Sequence, residues 1–186
     1  MVTQKGTYYA AAMPVDITPP IGSYLDGYGA RKDPSDDIHD PLFATLLMLK
    51  TGDNGVAVVT LDLVGAVLSF TTKLKAALSP VLGIPEDAIL VSAIHTHAGP
   101  VGFMERVAML SNAADPALQD IYLRKITGAA AWVKDHLQPV HLGVGRGEIH
   151  DIGRNRNDPE HGLMDAELGV LRVDDTDGRP LAVLMN

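Results

Sequence analysis

Two histidines two residues apart, His95 and His97, close a nearly continuous apolar run that begins at Ile89. Imidazole nitrogens are favoured zinc donors, and side chains two apart on a strand share a face. The expectation is that both rings project together from the carboxyl end of a buried strand. Ala98-Gly-Pro100 then stops that strand with residues that let other groups approach closely. A pair of histidines satisfied by backbone or carboxylate hydrogen bonds gives the same pattern, so the pair alone does not decide between metal and structure.

Other residues bear on the choice. Asp62 ends a second apolar run, Val56–Leu63, where an unpaired carboxylate would be costly, so it is expected to orient His95 or His97 from behind. His39, beside Asp40 on a loop entering a strand, is a further candidate for that supporting role, against the simpler reading of an exposed loop pair. Arg156 has a permanent charge and forked donors suited to an oxyanion or polar headgroup, though it also reads as a surface arginine in a polar loop. With no cysteine in the chain, any metal must be held by His, Asp, Glu or Tyr.

Composition bounds the rest. The 186 residues, 46% apolar and 20% charged, suit one globular domain. Fifteen basic against 23 acidic residues give a net charge of −8, which argues against a nucleic-acid partner. No apolar run is long enough to span a bilayer, and the N-terminus lacks a signal pattern. Cytoplasmic is therefore the default expectation, with secretion the alternative if a signal was removed. Oligomeric state is not legible.

The elements that must position these residues alternate. Tyr8–Ile17 reads as a strand, followed by a Gly-, Pro- and Asp-rich loop from Ile21 to Asp40. Pro41–Lys50 and Val56–Leu63 read as a hairpin, the second strand apolar on both faces and so central. A helix capped by Ser69 and ended by Gly83 leads into the histidine strand, which predicts a parallel crossover. Phe103–Leu110 reads as a short helix. A long helix starts at Asp115-Pro116, with an apolar stripe from Leu118 to Leu137 and Trp132 filling a gap in the core. Val140–Ile149 is a strand whose glycines at 143, 145 and 147 only superficially suggest a phosphate loop. Glu167–Val173 and Leu181–Met185 form a closing hairpin. The expected class is α/β: a mixed, mostly parallel sheet flanked by helices with an antiparallel hairpin at the C-terminal end. Ending on an apolar strand, the chain reads as an incomplete domain.

Asp16-Ile-Thr-Pro-Pro-Ile-Gly22, Gly27-Tyr-Gly29, Ile38-His-Asp-Pro-Leu-Phe-Ala44, Val59-Thr-Leu-Asp-Leu63, Ser92-Ala-Ile-His-Thr-His-Ala-Gly-Pro100 and Asn155-Arg156 occur in this order. Order and spacing resemble the N-terminal region of the neutral/alkaline non-lysosomal ceramidase family and its bacterial relatives, over essentially residues 1–186. The resemblance implies zinc-dependent hydrolysis of the amide bond of a ceramide-like lipid. It makes His95 a zinc ligand, His97 an assisting group beside the metal, and Arg156 a contact to the reacting centre. The last match is weaker, since the family often continues Asn-Arg-Ser-Pro where this chain reads Asn155-Arg-Asn-Asp-Pro159. The family's other zinc ligands and catalytic serine have no counterpart in these residues. The 186 residues are thus expected to be inactive alone and to bind zinc weakly or not at all. Two further readings stand beside this one: a relative cleaving another amide or ester, and a non-catalytic domain keeping the fold.

Overall fold

The computed structural model describes residues 7–104, 114–150 and 152–186. The chain divides into two compact units, Ala10–Leu137 and Gln138–Asn186 with the residues up to Tyr9.

The first unit holds strand β1 (Tyr8–Asp16) from Ala10 onward, strands β2 (Phe43–Thr51), β3 (Asn54–Leu61) and β4 (Ile89–Ala93), and helices α1 (Leu68–Leu82) and α2 (Pro116–Asp135). Strand order is β4-β3-β2-β1, so β3 is internal, as its two apolar faces required. Two-residue periodicity buries Ala57, Val59 and Leu61 of β3 while Val56 stays exposed. β2 and β3 form an antiparallel hairpin closing at Thr51↔Asn54, and Gly52 takes the positive φ of the turn. The crossover through α1 makes β3 and β4 parallel, Ala57↔Ile89 through Leu61↔Ala93.

Phe70, Leu74, Leu78 and Leu82 recur at helical spacing and are buried, packing α1 on the strands. Burying each such side chain is worth roughly 1.5–3 kcal/mol. Gly83 ends the helix in the left-handed region, its N–H donating to Ser79 O. Ser69, the expected cap, lies inside the helix; the N-cap is Val67, which makes no side-chain bond. Val67 N–H donates to Phe103 O at 2.8 Å, so a tertiary bond fixes this residue where a cap was anticipated. At α2 the Asp115 carboxylate accepts the N–H groups of Ala117 and Leu118, as its sequence signature predicted. Tyr122, Ile126, Ala130 and Val133 carry the stripe into the core, but Ile121 does not. Trp132 is also 43% exposed, stacked on His136 at 3.9 Å rather than filling the core. The short helix expected at Phe103–Leu110 lies largely outside the described residues.

The second unit is an antiparallel meander: β5 (Gln138–Glu148), β6 (Glu167–Asp175) and β7 (Pro180–Met185). Gly143, Gly145 and Gly147 pair in unbroken register with Arg172, Val170 and Leu168, which makes them strand residues rather than a phosphate loop. The β6–β7 turn is tied by Asp175 Oδ1, which accepts the N–H groups of Asp177 and Arg179. The class is α/β, as expected, with one refinement. Of the β2/β3, β3/β4, β5/β6 and β6/β7 ladders only β3/β4 is parallel, so "mostly parallel" overstates the sheet. Short hairpin turns dominate the connections, and a short turn can only join antiparallel neighbours.

Candidate active site

β4 stops at Ala93, short of both histidines. His95 adopts φ 66°, a left-handed conformation uncommon for a residue with a β-carbon. Strand alternation therefore does not align the rings. They are neighbours nonetheless, centroids 5.1 Å apart and planes at 72°. The turn is held by backbone: Ile94 N–H donates to Leu61 O and His95 N–H to Leu63 O, both at 3.0 Å. His95 Nδ1 lies 2.6 Å from Val64 O. A carbonyl only accepts, so Nδ1 bears the proton and Nε2 is the lone-pair nitrogen of the exposed ring.

His97 is half-buried and packed on several sides. The Tyr28 ring meets it edge-on at 4.6 Å, and Arg31 Nη1 donates to its carbonyl at 2.9 Å. The Arg31 guanidinium also lies over the Tyr28 ring at 5.1 Å. Gly27, at φ 101°, presses on the imidazole so closely that a β-carbon there would sit 2.3 Å from His97 Cγ. This contact gives Gly27 a role beyond loop geometry. The sequence signal was present, but its partner is 70 residues away.

Asp62 stands just past β3. Its Oδ2 accepts Phe43 N–H at 2.8 Å while its own N–H donates to Phe43 O at 2.9 Å, so it latches the start of β2. The orienting bond to His95 Nδ1, expected from Asp62, comes from the Val64 carbonyl. His39 and Asp40 pair with each other at 2.6 Å with side chains almost wholly exposed. Both line a cleft of about 370 Å³ with Thr18, Leu25, Ile38 and Thr96, the residue between the two histidines. In the second unit Arg156 is exposed beside Ile152, Arg154 and Pro159. Its neighbour Asn155 organises the turn by accepting from Asn157 N–H and Asp158 N–H.

The donor chemistry suits zinc only in part. His95 offers an oriented lone pair, but among the described residues no group of three or more His, Asp or Glu could hold a metal ion.

No protein-family model matches the chain. Neutral ceramidase 2 of Arabidopsis thaliana is 29% identical over 148 residues, 76% of this chain and 20% of that protein. Neutral ceramidase 3 of the same plant is 25% identical over 188 residues, covering 91% of this chain and 26% of its own length. The chain is related to the neutral ceramidases. A rice neutral ceramidase (Oryza sativa subsp. japonica) matches at 25% over 84% of the chain and 21% of its own length. The crystal structure of neutral ceramidase from Pseudomonas aeruginosa shares the fold, with a TM-score of 0.81 at 21% identity over 98% of this chain and 32% of that one. The chain thus spans about a fifth to a quarter of the curated neutral ceramidases it matches. Among the described residues no helix is long and apolar enough to cross a membrane.

Proposed function

We propose that these 186 residues are the N-terminal part of the catalytic domain of a zinc-dependent amidohydrolase that cleaves an N-acyl amide of ceramide type. The observation that carries this reading is the His95 lone pair. One imidazole is locked by Val64 O so that Nε2 faces outward, with a second imidazole 5.1 Å away. The relationship to neutral ceramidases supplies the substrate class, the lipid amide. His95 would hold zinc through Nε2, and further donors would come from outside these residues. Bound there, zinc would polarise the amide carbonyl and acidify a water.

His97 is the group of this chain placed to move a proton or steady an oxyanion beside that ion. Tyr28, Gly27 and Arg31 fix its ring and backbone, so little reorganisation is needed at the moment of reaction.

The test is hydrolysis of ceramide and of short N-acyl amides by the polypeptide containing this chain, with and without His95→Ala. Loss of zinc-dependent ceramide cleavage in the variant supports the reading. Activity on short amides alone would replace the lipid with a smaller substrate. Activity indifferent to His95→Ala would leave a fold retained without this chemistry.

A further inference from the structure

Two buried polar atoms near the histidine pair lack a hydrogen-bond partner among the described residues: Asp26 Oδ2 and His97 Nδ1. Asp26 is only 5% exposed. A buried carboxylate oxygen without a donor, and a buried ring nitrogen without a partner, each leave a desolvation cost that no hydrogen bond offsets. One is an obligate acceptor when ionised; the other can donate.

The local geometry brings their residues together. Asp26 N–H donates to Gly99 O at 2.9 Å, Val101 N–H donates to Tyr24 O at 3.0 Å, and Leu25 bridges Pro100. Residues 24–26 therefore run antiparallel to the segment that follows His97. Asp26 Oδ1 accepts Gly27 N–H at 2.8 Å, and Gly27 itself packs on the His97 ring. The other polar groups found around His97 are already committed or differently disposed. Arg31 grips the His97 carbonyl, Tyr28 presents its ring, and His95 Nδ1 is taken by Val64 O.

We propose that Asp26 is a positioning residue for His97, its Oδ2 receiving the Nδ1 proton through one buried water. Such a bridge satisfies both orphaned atoms, and buried waters occur where polar groups of this kind would otherwise stand alone. The pairing fixes the tautomer: Nδ1 carries the proton and Nε2 is the lone-pair nitrogen. This rests on the hydrolase reading for its meaning and decides between the two roles open to His97 there. A neutral ring with an unprotonated Nε2 accepts a proton; it does not donate to an oxyanion until it has done so.

The experiment is nitrogen-15 NMR of the histidine rings in the 186-residue chain, at a pH where they are neutral. The expected result is that His97 is mainly the Nδ1–H tautomer, and that Asp26→Asn turns this majority form into a minority. A His97 ring that is mainly Nε2–H in the wild type overturns the assignment, as does an unchanged population in Asp26→Asn. Should Asp26→Asn fail to fold, the wild-type tautomer decides alone. The readout is independent of hydrolysis, so failure here leaves the substrate question standing, and failure of ceramide cleavage leaves the tautomer standing.

Discussion

His95 Nδ1 and the carbonyl oxygen of Val64 are 2.6 Å apart, so a backbone atom of the β3–α1 connection sets which nitrogen of the ring carries the lone pair. One oriented imidazole and one neighbour fall short of the three or four donors that hold zinc tightly. Calorimetric titration of the 186-residue chain is expected to show weak zinc binding or none, with any residual binding lost in His95→Ala. One tight zinc per chain would contradict this.

Gly27 and Gly22 share a positive φ, 101° and 91°, but only Gly27 has a neighbour within 4 Å of a prospective β-carbon. Gly22→Ala therefore incurs backbone strain alone, about 1 kcal/mol. Gly27→Ala adds a clash with His97 and is expected to cost about 2–3 kcal/mol, or to displace the imidazole instead. Urea midpoints give the stabilities, and ring chemical shifts of His97 report the displacement, which Gly22→Ala should not cause.

The Tyr122 hydroxyl donates to Ile17 O at the end of β1. Burial, with the Asp16 charge second, pushes its pKa well above the ordinary 10. Tyr122→Phe leaves a buried carbonyl without its donor and should cost about 1–3 kcal/mol by denaturant unfolding.

Thr18 donates to Asp16 through both hydroxyl and backbone, and these bonds hold the Asp16 carboxyl below its ordinary 3.8. A folded pKa lower than the unfolded one adds stability that is complete above 3.8 and disappears as pH falls through the folded value. Asp16 is almost wholly solvated, so the effect is small. The loss of stability on acidification below 3.8 should be smaller in Asp16→Asn than in wild type, measured by urea unfolding across that range.

Much of this was legible in the chain because it is local. The two-residue period of β3, the Asp115-Pro116 start of α2 and the Gly83 stop are each written within one segment. The His95-Thr-His97 element likewise gave the family resemblance that the plant neutral ceramidases bear out. Strand alternation does not account for the histidine pairing. β4 ends at Ala93, and a left-handed turn at His95 brings the rings together. Ser69 lost its cap to a backbone bond between Val67 and Phe103, and Asp62 found Phe43 rather than an imidazole. These partners lie between about 19 and 36 residues away, a separation at which local pattern carries no information. Asp26 gives no signal in the sequence, because an aspartate among loop glycines is ordinary; only its burial makes it unusual.

The ties from Ile94 to Leu61 and from His95 to Leu63 are made by main-chain atoms that almost any amino acid could supply. Only the contacts with the Val64 carbonyl and the His97 ring call on the imidazole. A descendant could thus exchange His95 for asparagine or glycine, both comfortable at that φ, and keep the loop intact. In this architecture, shape can outlive chemistry. Silent members of the lineage should be recognised by the identity of that one side chain, not by how well their backbones superpose.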